Sequence, residues 1–292
     1  MTGFLHQLLS GLATGSIYAS VALALVTIYR ATHHVNFAQG EMATFSTYVA
    51  LTLIQAGLPY WIAFALTLIA SFVIGVAVER LLLRPMGRAP VLSSVGVLIG
   101  LLLIFNSLSG WLFGYTIKTF PDPFEARAAG GLLGGYVSRG ELGTAAVTLA
   151  MLLSVFLFFR CTKPGLAMRA AAFNPTSSRL AGIRVGRMLA LGWGLAAAIG
   201  AVAGMLIAPV VFLDPNMMAG ILLYAFAAAL LGGIDNPLGA VVGGFAVGAI
   251  ENLAGAYMVG TELKLTLALL IIVGVLLVRP NGLLGRAVVS RV

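Results

Sequence analysis

The chain has 292 residues, of which 60% are hydrophobic and only 9% charged, with a net charge of +8; an ordinary soluble domain carries about 25% charged residues. A mean hydropathy of +1.05 makes this an integral membrane protein, best described by its spans. The lone cysteine, Cys161, excludes an internal disulfide, and no CxxC or HxxxH spacing offers a metal site, so neither metal nor cofactor is expected.

Apolar windows long enough to cross a bilayer lie at residues 5–29, 37–57, 60–82, 91–113, 143–159, 188–212, 217–233, 238–256 and 264–279. The seventh and eighth are short and separated only by IDNPLG, so they could form a re-entrant pair. The expectation is an all-α polytopic bundle of eight or nine transmembrane helices, nine preferred, in a single transmembrane domain over 1–292 with broken or re-entrant segments. MTGFLHQ lacks a basic n-region and the first window is long for a signal peptide, so it reads as an uncleaved span.

Lys and Arg set the orientation. With the N-terminus outside and the C-terminus cytoplasmic, the inner loops hold Arg30, Arg80, Arg84, Arg88, Arg160, Lys163, Arg169, Arg179, Arg184, Arg187, Arg279, Arg286 and Arg291, which is 13 of the 17 basic residues. Lys118, Arg127, Arg139 and Lys264 fall outside, as the positive-inside rule requires. The excess positive charge thus belongs to the cytoplasmic face and its lipids, and gives no reason to expect nucleic acid.

The second window opens with NFAQGEMATF. Glu41, Thr44, Tyr48, Thr52 and Gln55 recur at helical spacing and form one polar stripe, which cannot face lipid. Gly40, Ala43 and Thr47 form a neighbouring small-residue strip suited to close helix packing. Glu41 is expected about 6 Å from the start of the span, close to the inner interface. One reading makes Asn36 the N-cap, with Gln39 and Glu41 at the positive end of the helix dipole. The other makes Asn36, Gln39, Gly40, Glu41, Thr44 and Tyr48 the polar start of a broken helix that lines a transport path, a recurring transporter device. The second is preferred because the stripe continues beyond any cap.

Two soluble stretches follow. The outer loop at 114–142 carries three basic and three acidic residues, with several glycines in AGGLLGGY. The inner loop, RCTKPGLAMRAAAFNPTSSRLAGIRVGR at 160–187, has six basic residues and no acid. It should form a helix over 165–173, a break at Asn174 and Pro175, and a second short helix over 176–181. It reads either as a basic loop against anionic lipid heads or as a docking element for a cytoplasmic protein. Further on, Glu251 lies well inside the eighth window beside Asn252, and an intramembrane acid is a candidate functional group unless it is satisfied at a helix interface. Gly11 and Gly15, Gly200 and Gly204, and Gly239, Gly243, Gly244 and Gly248 are expected to permit close helix packing. His33 and His34 read as interfacial, and Trp61, Trp111 and Trp193 as span-end anchors. Asn36 to Gly40 after the first span and LDPNMMAG after the sixth hint at an inverted repeat, with the two segments on opposite sides of the membrane.

Three motifs in order resemble one family over nearly the whole chain. GLATGSIYASVALALVTIYRATHHVNFAQGEM resembles the opening of the LivH-type permease subunits of branched-chain amino acid ABC importers. Gly165, Arg169, Ala170, Asn174, Ala181, Gly182 and Ile183 resemble the cytoplasmic loop of these permeases, and LLGGIDNPLGAVVGGFAVGAIE their glycine-rich segment. The resemblance implies a bacterial inner-membrane permease that is not itself an enzyme. Its implied partners are a second permease of the LivM type, two ATP-binding subunits and an extracytoplasmic substrate-binding protein. Gly165, Arg169, Asn174, Ala181, Gly182 and Ile183 would then belong to the ATPase-coupling loop. In keeping with this, the chain has no GxxxxGK(S/T) phosphate loop, so energy must come from another chain. A proton-coupled secondary carrier using Glu41 or Glu251 is the alternative, and a passive channel or assembly subunit a third reading. The family extends to permeases for urea, short amides and aromatic acids, which the stripe does not separate. Selection is expected to rest with the binding protein.

Overall fold

The computed structural model describes residues 2–32, 35–86, 90–124, 138–260, 263–279 and 281–285. His33, His34 and the AGGLLGGY stretch lie outside them, as do Arg88, Arg127, Arg286 and Arg291. Among the described residues the elements are α1 (Thr2–Thr32), α2 (Gln39–Gln55), α3 (Tyr60–Val78), α4 (Val91–Phe113), α5 (Arg139–Cys161), α6 (Lys163–Phe173), α7 (Pro175–Leu180), α8 (Val185–Val211), α9 (Met218–Gly232), α10 (Pro237–Ala254) and α11 (Lys264–Val278). One π-helical turn, Glu79–Leu83, extends α3 and another, Gly255–Val259, extends α10. Every apolar window coincides with a helix. Six helical stretches are long and apolar enough to cross a membrane: Gly3–Arg30, Tyr60–Leu83, Leu92–Phe113, Arg139–Cys161, Val185–Val211 and Pro237–Met258. α9 and α11 are shorter apolar helices, and α2 falls in neither class. This is an all-α polytopic membrane protein.

The chain divides into two compact units, each described separately. One comprises Thr27–Pro121 and Thr148–Ala219. Its centre is α8, an alanine- and glycine-rich helix whose residues from Gly192 to Ala208 are buried except Leu195 and Ala198. Small residues let neighbours approach it closely, the main source of helix association where lipid is as apolar as the side chains. A side chain at Gly204 would meet the Ala43 carbonyl oxygen of α2 at 2.9 Å, and one at Gly194 would meet Phe72 of α3 at 2.8 Å. α2 and α3 are joined by Ser71 Oγ, which donates to Ser46 Oγ at 2.7 Å. The hydroxyls of α2 otherwise turn inward: Thr44, Thr47 and Thr52 donate to the carbonyls of Gly40, Ala43 and Tyr48 at 3.2, 2.9 and 2.9 Å. Trp193 corrects the expectation that it anchors a span end. It is 1% exposed in the body of α8, backed against Gly75 of α3. Trp61 and Trp111 are 50% and 77% exposed near the ends of α3 and α4, as anchors require.

The 160–187 loop forms the two short helices expected. Thr162 Oγ1 accepts the Gly165 N–H at 3.1 Å and starts α6, and Asn174 Oδ1 accepts the Ser177 N–H at 3.0 Å and starts α7. α7 ends at Gly182, whose φ of +81° is a conformation that glycine adopts without penalty. Behind the loop, Arg84 pairs with the buried Glu79 at 3.1 Å and also donates to the Gly186 carbonyl, which fixes the start of α8 to the end of α3.

The other unit comprises Met1–Val26, Asp122–Val147 and Gly220–Val292. Here α1 and α10 run antiparallel through two glycine pairs. A side chain at Gly11 would meet the Gly248 carbonyl, and one at Gly15 the Gly244 carbonyl, each at 2.9 Å. Gly243 faces Ala228 of α9 as closely. Tyr18 of α1 stacks on Tyr224 of α9 with ring centres 4.9 Å apart. Replacing Gly248 with leucine should therefore cost about 1–3 kcal/mol by overpacking, whereas Gly274, with nothing within 4 Å of its missing side chain, should tolerate the same change. Thermal unfolding of the two variants in detergent measures the difference.

Candidate functional site

The site begins with the position of α2. Gln39 Nε2 donates to the Ala196 carbonyl at 2.9 Å, and Ala196 is the twelfth of the 27 residues of α8, about 16 Å from its start at about 1.5 Å per residue. α2 thus starts level with the middle of α8 and runs parallel to it, reaching Gly204 with Ala43 and Thr47. The sequence places Glu41 close to the inner interface; the structure sets it level with the middle of α8, not with the start of that helix. The N-cap assignment is corrected too. The cap position is Ala38 and no side chain caps α2. Asn36 instead accepts the Ala38 N–H at 3.1 Å and donates to Gln39 Oε1 at 3.2 Å. Asn36, Gln39 and Gly40 are buried, and the two amides tie the helix start to α8.

Glu41 is 6% exposed, and its Oε2 accepts from the Asn106 amide of α4 at 3.2 Å. Asn106 also donates to the Pro215 carbonyl at 3.1 Å and to Asn216 Oδ1 at 2.9 Å. These last two residues belong to the segment after α8, where Asp214 accepts the Asn216 N–H at 2.6 Å. The segment is held by Lys118 and Leu213, which exchange two backbone hydrogen bonds of 2.9 Å. One turn beyond Thr44, which is fully buried, Tyr48 stacks face to face on Phe113 at 4.7 Å, under the Lys118 ammonium at 5.9 Å. The Tyr48 hydroxyl is buried and has no hydrogen-bond partner among the described residues. The outer part of the stripe, Thr52 and Gln55, is exposed. Asn36–Gly40 and LDPNMMAG were expected on opposite sides of the membrane; in the structure Asn106 joins Glu41, just past the first segment, to Pro215 and Asn216 of the second.

Sequence reasoning missed Asn106, Asp214, Asn216 and Lys118. Asn106 had a signal, being the only amide side chain in the apolar window 91–113. Asp214 and Asn216 were seen only as part of a possible repeat.

Glu251 occupies a different setting, in the first-and-last unit. Tyr18 donates its hydroxyl to Glu251 Oε2 at 2.8 Å, and Lys264 forms an ion pair with Oε1 at 3.3 Å. Asn252 beside it donates to the Gln7 carbonyl at 2.8 Å and accepts from Lys264 at 3.4 Å. This acid is satisfied where α1, α10 and α11 meet.

In the 160–187 loop, Gly165 is buried against the Phe158 carbonyl, and Arg169, Asn174, Ala181 and Gly182 are exposed with Ile183 half-buried. Phe173 and Leu180 stand 89% and 87% exposed among the arginines, so the two short helices present apolar side chains within a basic frame.

Comparison with known proteins matches residues 7–276 to the family described as branched-chain amino acid transport system / permease component. The high-affinity branched-chain amino acid transport system permease protein LivH of Escherichia coli K12 is 31% identical, over 99% of this chain and 98% of that protein. BraD of Pseudomonas aeruginosa, a permease protein of the same description, is also 31% identical with the same coverage. A probable LivH of Methanocaldococcus jannaschii is 28% identical over 91% of this chain and 87% of its own length. Among solved structures, PsaBC from Streptococcus pneumoniae in complex with Fab shares the fold, with a TM-score of 0.50 and 16% identity over 93% of this chain and 91% of that one.

Asn106→Leu should leave the buried Glu41 carboxylate without its donor and cost about 1.5–3 kcal/mol. Adding Glu41→Gln should recover part of that loss. A double-mutant cycle on thermal unfolding measures the coupling, and additive losses would mean that the two side chains do not interact.

Proposed function

We propose a function from one premise: the chain belongs to the family of branched-chain amino acid transport system permease components. It is a multi-pass protein of the inner membrane and acts as the permease subunit of an ABC importer for branched-chain amino acids. A second permease of the LivM type completes the membrane part, two ATP-binding subunits drive it from the cytoplasm, and an extracytoplasmic binding protein delivers the substrate. The N-terminus lies outside, and residues 1–292 work as one permease domain with the outer loop at 114–142 as an appendage.

The observation that carries the reading is the polar cluster of Glu41, Asn106 and Asn216, which joins α2, α4 and the segment after α8 among otherwise apolar helices. A cell does not maintain a buried acid at that depth for packing alone, because its desolvation is costly. The positive-inside assignment places the C-terminal ends of α4 and α8 outside, so the cluster opens toward the side from which a binding protein delivers. The path passes Asn36, Gln39, Gly40, Glu41, Thr44 and Tyr48. On the inner face, Gly165, Arg169, Asn174, Ala181, Gly182 and Ile183 form the surface on which an ATPase seats, Phe173 and Leu180 supplying its apolar contacts. ATP binding there moves α6 and α7, and the Arg84 contacts to Glu79 and Gly186 carry the movement to α3 and α8. A proton-coupled carrier using Glu41 or Glu251 is not favoured, because the relatives are branched-chain amino acid transport permeases and Glu251 is ion-paired with Lys264.

The test is leucine uptake into proteoliposomes holding the whole importer. Uptake should require ATP and an intact ATPase, and Arg169→Glu with Gly182→Val should lower it by about tenfold or more through loss of the docked ATPases. Uptake by this chain alone, abolished by an uncoupler, would overturn the assignment.

A further inference from the structure

Around Glu41 hydrogen-bond acceptors outnumber donors. The side-chain amide of Asn106 has two N–H bonds, yet three oxygens lie within its reach: Glu41 Oε2 at 3.2 Å, the Pro215 carbonyl at 3.1 Å and Asn216 Oδ1 at 2.9 Å. The neighbouring Asp214 carboxylate spends one oxygen on the Asn216 N–H and adds further acceptor capacity. The Tyr48 hydroxyl, on a side chain only 1% exposed, has no hydrogen-bond partner among the described residues. Glu41 also has no ion pair among the described residues, in contrast to Glu251. A buried carboxylate without a counter-charge is strongly disfavoured unless something supplies one. A metal ion is a poor candidate, since no group of three or more His, Cys, Asp or Glu residues gathers among the described residues.

The Lys118 ammonium lies over the Tyr48 ring at 5.9 Å but makes no ion pair with Glu41; an ammonium group at the cluster would bring one charge and three donors on a single atom. Access to the cluster is open, because Asn216 is exposed and Asp214 half-buried while Glu41 and Pro215 are buried behind them. We propose that Glu41, the Pro215 carbonyl and the Asp214–Asn216 segment, set in place by Asn106, form a recognition site for the ammonium group of the transported amino acid, with the Tyr48 hydroxyl as a further contact. The permease then selects for an amine on its own account, after the binding protein has made its choice. An uncharged amide or urea would leave Glu41 uncompensated and be rejected. This rests on the transport function given above and adds the chemical group that the path reads.

The test uses the complete complex of permeases and ATPases in lipid nanodiscs, without the binding protein. Saturable binding of radiolabelled L-leucine is measured, and displaced with 3-methylbutylamine, which keeps the ammonium without the carboxylate, or with 4-methylpentanoate, which keeps the carboxylate without the ammonium. The amine should displace leucine at least about tenfold more effectively than the acid. Glu41→Gln should weaken leucine binding by about tenfold or more. Tyr48→Phe should weaken binding while leaving thermal stability equal or higher, because the hydroxyl it removes has no hydrogen-bond partner among the described residues. Equal displacement by acid and amine, unchanged binding in Glu41→Gln, or no saturable binding would overturn the proposal. ATP-driven leucine uptake by the same complex, with its binding protein restored, is measured alongside. Uptake that persists while the binding pattern fails removes only the ammonium site, whereas absent uptake removes the transport function itself.

Discussion

A helix that begins buried beside the middle of a membrane-spanning neighbour leaves its first N–H groups where neither water nor a preceding turn can receive them. That constraint governs the start of α2. Asn36 meets it with both ends of its amide, accepting the Ala38 N–H and donating to Gln39, while its backbone carbonyl accepts the Gln39 N–H at 3.3 Å. Gln39 then spends its own amide on the Ala196 carbonyl. The small residues of α8 make this possible, since a side chain at Gly200 would collide with the Gln39 amide. Removing any of these groups would leave a buried polar atom unsatisfied. The local sequence NFAQG is therefore the price of a helix start at this depth.

With α2 seated, the remainder of its unit follows. Glu41 is lifted to the level of Asn106, and the chain leaving α8 can reach the same amide through Pro215 and Asn216. The threonines of α2 are satisfied by their own helix, so the polarity of the stripe narrows to a few groups that still have bonding capacity: Glu41, Asp214, Asn216 and the Tyr48 hydroxyl. The two buried acids show how environment divides one residue type into two fates. Glu251 is closed by Lys264 and Tyr18 and braces three helices, while Glu41 has no ion pair among the described residues.

Much of this was legible in the sequence. Each of the nine apolar windows became a helix because the bilayer requirement for about 20 apolar residues leaves a signal that needs no knowledge of neighbours. The short helices of the 160–187 loop were equally readable, since Asn174, Pro175 and Gly182 act on the backbone beside them. What failed depends on contacts between distant residues. The depth of Glu41 follows from a bond 157 residues away, at Ala196, and Asn106 gains its meaning from partners 65 and 110 residues distant. Trp193 was misplaced because composition alone favours an interfacial indole, whereas it lies buried in the body of α8, whose backbone α3 approaches closely at Gly75. Glu251 could be read in two ways until Lys264 was seen across from it.

The central claim is the register of α2 against α8, and cysteine cross-linking tests it most directly. In a background with Cys161 replaced by serine, Thr47→Cys paired with Gly204→Cys should form a disulfide rapidly under mild oxidation, because a side chain at Gly204 points at Thr47. Thr47→Cys paired with Ala196→Cys should not. A preference for position 196 would put the start of α2 about two turns, roughly 12 Å, nearer the beginning of α8. It would return Glu41 to the inner interface and dissolve the cluster on which the account rests.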